Sequence, residues 1–230
     1  MNNKIINILK SISMILLILC FSALFFTILN INTTNISDKE YIFYLTLSNI
    51  TLIVIFLLIY RKTLIKDFKK YIKDFNNNIE LGIKYWLIGF IIMIVSNLII
   101  TYILNKGLAG NEQEVRNYID SFPLFMIFNT VIYAPLTEEL AFRKSIRDAI
   151  HNKWLYVLIS GLVFGMLHIV SYITTWTDLI YLIPYSCLGI SFALLYYKTN
   201  NIFSSMTMHA IHNLLAVIIY LLGASLWKNL

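Results

Sequence analysis

The stretch APLTEELAFR, residues 134–143, sets two adjacent carboxylates, Glu138 and Glu139, into a long apolar run and follows them with Arg143. Elsewhere the chain is mostly hydrocarbon: 59% of its 230 residues are hydrophobic, 13% are charged, only 12 are acidic, and the mean hydropathy is +0.74. An ionisable side chain inside a bilayer costs about 2.5–3.5 kcal/mol on insertion scales, so it marks a functional site whose partner must be found. Two later apolar segments carry the remaining unusual chemistry: FGMLH, ending at His168, and HAIHN, from His209 to Asn213. Three of the four histidines therefore sit within hydrophobic segments.

Outward from that stretch, apolar runs of about 20 residues recur along the whole chain, the length that crosses a membrane as a helix. The expected fold is an all-α polytopic membrane protein, a bundle of about seven transmembrane helices around a buried polar site. The spans fall near residues 11–30, 41–60, 81–104, 122–150, 154–173, 179–197 and 203–223. Lys4 and Lys10 before the first run suggest a signal peptide. The run is too long for one and lacks a small-residue cleavage site, so it reads as an uncleaved span. Cys20 and Cys187 lie in apolar spans and read as small fillers rather than a disulfide or metal pair.

After the second span, RKTLIKDFKKYIKDF (61–75) interleaves six basic residues with Leu64, Ile65, Phe68, Ile72 and Phe75. That pattern predicts an amphipathic helix over about 61–77 lying on an anionic leaflet. The net charge of +6 is thus spent beside membrane spans, and no nucleic-acid motif accompanies it. With the N-terminus cytoplasmic, 13 Lys and Arg fall inside and four outside: Lys39, Lys106, Arg116 and Lys228. Lys84 sits at the inner end of the third span. The positive-inside rule therefore predicts a multi-pass cell-membrane protein with its N-terminus in the cytoplasm and its C-terminus outside. Residues 1–120 form three N-terminal spans with the basic segment, and residues 121–230 carry the polar chemistry.

In the fourth helix, Pro123 suits a first turn. Pro135, three residues before Glu138, removes a backbone donor and bends the helix beside the carboxylates, which suggests a protein-lined cavity. Glu139 and Arg143 are i and i+4 and can pair, whereas Glu138 points about 100° away and faces the cavity. A carboxylate in an apolar surround suits a general acid or base working near neutrality. His209 and Asn213 also share a face, and an imidazole beside a carboxamide makes a pair of oxyanion donors. His212 reads as a bystander. Alternatively, Glu138, His168 and His209 match the ligand types of a catalytic zinc. The metalloprotease HExxH, the GxSG of rhomboid-type proteases and a pair of membrane aspartates are all absent.

Taken in order, EExxxR (Glu138, Glu139, Arg143), FxxxH (Phe164, His168) and HxxxN (His209, Asn213) resemble the CPBP family of CAAX prenyl proteases, bacteriocin-processing and abortive-infection-type membrane proteins. The resemblance covers about residues 120–223; the first three spans carry no family signature. It implies intramembrane hydrolysis of a peptide bond, with Glu138 and His168 activating water and His209 and Asn213 stabilising the oxyanion. Glu139, Arg143 and Phe164 support them. No cofactor is favoured, because a carboxylate–imidazole pair suffices as base and asparagine is a poor metal ligand; a zinc enzyme is the alternative. The implied partners are the lipid bilayer and a peptide or a lipidated or membrane protein, reached through an opening toward the cytoplasm. Bacteriocin or pheromone maturation, self-immunity and CAAX-type processing are the roles the family suggests. A non-catalytic membrane adaptor regulating a sensor kinase or envelope enzyme is the reading from another class. A transporter would need polar groups along a path through the bilayer, which the early spans lack. One geometric tension stands: at 1.5 Å per residue, Glu138 and His209 come out about 10 Å from the cytoplasmic boundary and His168 about 20 Å.

Overall fold

In the computed structural model, which describes residues 3–228 and the side chains of residues 3–223, every long element is a helix. We number them α1 (Asn3–Ile28), α2 (Asp38–Lys73), α3 (Phe75–Leu98, prolonged by a π-helical turn at Ile99–Ile103), α4 (Gly110–Ser121), α5 (123–149), α6 (Lys153–Ile169), α7 (Leu182–Thr199) and α8 (Ile202–Lys228). Short 3-10 turns at Val170–Tyr172 and Trp176–Tyr181 join α6 to α7. Among the described residues, six helical stretches are long and apolar enough to cross a membrane, rather than the expected seven. The seventh expected span is α5. It is broken into short α and π segments and carries six charged residues between Glu138 and Asp148, so it fails as an uninterrupted apolar span.

Large apolar side chains lie exposed on the long helices, Leu16, Leu58, Ile91 and Ile219 among them. In water that surface would aggregate; in lipid it is the solvated face. Trp154 is exposed near one end of the bundle and Tyr102 and Trp176 near the other, the interfacial positions that amphipathic rings favour. Lys73, Lys153 and Lys198 mark the first of these ends, which we call the basic end.

One core joins both halves of the chain: Met14, Leu52, Phe56 and Tyr60 of α1 and α2 pack with Leu140, Phe142, Phe164, Tyr196 and Met206. The basic stretch 61–73 is not a separate surface helix. It continues α2 without interruption, because its Asp67 and Tyr71, one turn apart, are buried against the start of α8. Asp67 Oδ2 accepts the Ile202 backbone N–H at 3.1 Å, satisfying an orphan donor of α8, and the Asp67 carbonyl accepts Asn201 Nδ2 at 2.8 Å. Lys70 donates to the Thr199 carbonyl at 2.7 Å at the end of α7, where Asn200 turns the chain with φ 47°.

The tightest helix pair is α6 with α7. Gly161, Gly165 and Gly189 let the two backbones nearly touch: a Cβ on Gly189 would stand 3.0 Å from Gly161 Cα. Gly161 and Gly165 form a G-x-x-x-G, the spacing that lays small residues along one stripe of a membrane helix. A Cβ on Gly161 would lie 2.4 Å from Ile190 Cγ1 and 2.9 Å from its backbone nitrogen, so that stripe has no room for a side chain. Gly161→Leu is expected to separate the helices and lower stability by about 3 kcal/mol or more, read as the unfolding midpoint in detergent. Gly107→Ala, where no atom lies within 4 Å of the added Cβ, should leave it unchanged.

Candidate active site

The irregularity of α5 builds the site. A π-helical stretch at Asn129–Tyr133 precedes Pro135 and a second, Glu139–Ser145, follows it. In the first, Ala134 N–H bonds the Asn129 carbonyl five residues back. The next bond of that series would run from residue 135 to the Thr130 carbonyl, and proline has no N–H to give. The freed carbonyl instead accepts Asn213 Nδ2 from α8 at 2.7 Å. Thus the backbone bond that Pro135 removes becomes an interhelical anchor for the asparagine of HxxxN. The second N–H of the carboxamide remains to be offered elsewhere.

Glu139, Arg143 and His209 form a buried charge cluster. Arg143 Nε stands 3.2 Å from Glu139 Oε2, and His209 Nδ1 stands 3.0 Å from Glu139 Oε1, with both Glu139 and Arg143 fully buried. The arginine contact is an ion pair by distance but is not aligned as a hydrogen bond. Arg143 Nη1 donates to Ser160 Oγ at 3.2 Å, which in turn donates to the Phe142 carbonyl at 2.7 Å. The guanidinium also lies 4.7 Å from the centre of the Phe164 ring and 6.0 Å from that of Phe192, so aromatic faces cover it where carboxylates do not. Phe164 further meets His168 at 4.4 Å and His209 at 5.7 Å between ring centres, and Phe192 stacks on His209 at 5.3 Å. The Phe of FxxxH is therefore the spacer between the charge cluster and the second imidazole.

The sequence expectation that Glu139 is held by Arg143 while Glu138 is left free matches this geometry. Glu138 lines a cavity of about 720 Å³, and its Oε2 is buried without a hydrogen-bond partner. His168, His209, His212 and Asn213 line the same cavity. His168 Nδ1 lies 2.8 Å from the Phe164 carbonyl, which can only accept, so in the neutral imidazole the ring proton is on Nδ1 and the lone pair on Nε2. The Tyr185 ring stacks against the imidazole at 5.0 Å. The cavity is walled further by Phe90, Ile119, Met126 and Leu188.

Several features were not foreseen. His209 pairs with Glu139, not with Asn213, although both line the cavity. His212 is no bystander: it lines the cavity and accepts from Trp86 Nε1 at 3.3 Å. Asn49 in α2 donates to Asn129 of α5 at 2.9 Å, a polar link whose only sequence signal was an asparagine inside an apolar span. The cavity reaches Gly107, Glu112, Arg116 and Tyr220, and so runs toward the end that carries α4, opposite the basic end. Finally, among the described residues no three His, Cys, Asp or Glu side chains gather closely enough to hold a metal ion. Glu138, His168 and His209 share a cavity without gathering into such a group.

Glu138, His168, His209 and Asn213 thus line one cavity within a bundle of apolar helices. The description "Type II CAAX prenyl endopeptidase Rce1-like" belongs to the family model that matches residues 120–215. The chain is 30% identical over 183 residues to the "Putative membrane peptidase YdiL" of Bacillus subtilis, covering 76% of this chain and 70% of that protein. It is 28% identical over 150 residues to the UPF0177 protein YxdF of Lactococcus lactis, covering 63% of this chain and 81% of the relative. With the membrane-embedded CAAX protease MroQ of Staphylococcus aureus it shares 24% identity over 179 residues, covering 72% of this chain and 65% of the relative. No solved structure matches. This chain belongs to the CPBP family of intramembrane proteases.

Removing one member of a buried ion pair leaves the other charge uncompensated. Arg143→Leu is therefore expected to destabilise the protein by about 3–5 kcal/mol in a detergent unfolding titration. Glu138→Gln, which changes a group whose Oε2 has no hydrogen-bond partner, should stay within about 0.5 kcal/mol of wild type.

Proposed function

We propose that the protein is a peptidase in which Glu138, assisted by His168, draws a proton from water as the oxygen attacks a peptide carbonyl inside the bilayer. The observation that carries this reading is the Glu138 Oε2 atom, buried and unpartnered in a cavity that also presents His168 with a free Nε2. A general base needs a lone pair within reach of the attacking water, and both groups have one. The proton taken from water passes to the leaving amine as the carbon–nitrogen bond breaks, which restores the carboxylate. The negative charge that develops on the carbonyl oxygen is met by the free N–H of Asn213 and by His209 Nε2–H when that ring carries both protons. Glu139 is the positioning residue: it fixes His209 through Nδ1 and balances its charge, and Arg143 fixes Glu139 in turn.

The cavity is lined mostly by apolar side chains with a few polar groups among them, which suits an extended peptide with hydrophobic side chains. Entry from the α4 end favours a precursor delivered at the outer leaflet, such as a peptide being matured during export. A lipidated tail of the kind that the name CAAX protease implies for the staphylococcal relative would instead enter between helices from the lipid.

Purified protein and a quenched fluorescent peptide library test the assignment. Glu138→Gln should abolish cleavage, Asn213→Ala should slow it by about 10²–10³-fold, and a chelator should leave the wild-type rate unchanged. Full cleavage by Glu138→Gln would remove the basis for the reading. A deletion phenotype that Glu138→Gln complements in full would favour a non-catalytic adaptor instead.

A further inference from the structure

A second pocket, about 330 Å³, lies at the basic end, far from the cavity already described in both lining and chemistry. Its walls come from three helices: Lys10 from α1, Tyr60, Arg61 and Lys62 from α2, and Lys144 and Asp148 from α5. Four cations face one carboxylate. Lys144 holds that carboxylate by two contacts of 2.5 and 2.7 Å, which leaves Lys10, Arg61 and Lys62 uncompensated at the site. Among the described residues neither Arg61 nor Lys62 has an ion-pair partner, and Lys10 is poised over the Tyr60 ring at 4.5 Å instead. An independent observation points the same way. Tyr60 lines this pocket, is 2% exposed, and its buried hydroxyl has no hydrogen-bond partner. A buried hydroxyl without a partner is normally destabilising, and a bound acceptor is one way to satisfy it.

The position specifies the ligand. The apolar run of α2 ends at Tyr60 and that of α1 begins just after Lys10, so the pocket lies where hydrocarbon gives way to headgroups. Leu58 and Ile59, both exposed, form its apolar edge. A compact anion with several acceptor oxygens, joined to an apolar tail, matches three cations, a hydroxyl donor and that edge together. We propose that this pocket binds the phosphate of an anionic phospholipid headgroup, clamping α1, α2 and α5 to one another from the leaflet side. The ligand bridges three helices that the unliganded cations would push apart, so it stabilises the bundle by mass action.

The full-length protein in a neutral detergent can be titrated with phosphatidylglycerol, with phosphatidylcholine or with inorganic phosphate, and its unfolding midpoint followed by tryptophan fluorescence. Phosphatidylglycerol is expected to raise the midpoint saturably, and phosphatidylcholine is not. Arg61→Gln with Lys62→Gln, both at exposed positions that the fold tolerates, should require roughly tenfold or more phosphatidylglycerol for half the shift. Lys66→Gln with Lys69→Gln removes the same charge one to two turns further along α2, outside the pocket, and should behave as wild type. Tyr60→Phe should weaken the response without abolishing it. Equal losses in the two charge-removal variants, an equal effect of phosphatidylcholine, or no shift at all would each overturn the proposal. A full shift with inorganic phosphate alone would overturn the lipid assignment in favour of a free-anion site.

Discussion

The fully buried Glu139–Arg143 pair, with His209 as its third member, is the constraint to which the rest of this bundle answers. Two ions taken out of water need compensation from the groups around them. That compensation comes from different helices: Ser160 and Phe164 from α6, Phe192 from α7, His209 from α8. Each must arrive at the right height along the bundle, so one ion pair sets the register of four helices. The close α6–α7 packing through Gly161, Gly165 and Gly189 belongs to the same requirement, because it brings Phe164 and Phe192 near enough to cover the guanidinium.

The irregular course of α5 then distributes roles between adjacent glutamates. In a regular helix two consecutive carboxylates would differ only by a rotation. Here Glu138 closes a short α-helical segment after Pro135 and Glu139 opens a π-helical one, which turns the first to the cavity and the second into the core. The same proline leaves the Thr130 carbonyl to hold Asn213. Backbone hydrogen bonding lost in one helix is thus recovered as a contact between helices. This is tolerated at membrane depth only where the backbone is enclosed by protein.

Local chemistry was legible in the sequence, and long-range chemistry was not. That Glu139 and Arg143 can pair while Glu138 points elsewhere follows from helix periodicity, since i and i+4 share a face; that Glu138 lines the cavity belongs to the irregular course of α5. The all-α membrane architecture follows equally well from the recurrence of apolar runs. The link from His209 to Glu139 spans 70 residues and depends on how α5 and α8 pack, which no spacing encodes. The basic stretch after the second span has the lysine pattern of a surface helix; Asp67 and Tyr71, the residues that anchor it to α8, are single departures from that pattern.

The order in which these parts are made has a consequence for biogenesis. α5 emerges from the ribosome carrying Glu138, Glu139 and Arg143, too polar to settle in hydrocarbon by its own partitioning. Its intrahelical ion pair is available at once, but the imidazole that completes the cluster arrives with α8, the last of the described helices. Until then α5 has partners on α1, where Ser11 meets the Ser145 hydroxyl and Asn7 donates to the Asp148 backbone carbonyl. A chain that stops short of α8 holds an incomplete buried charge cluster, and membrane quality control has a physical handle by which to recognise it.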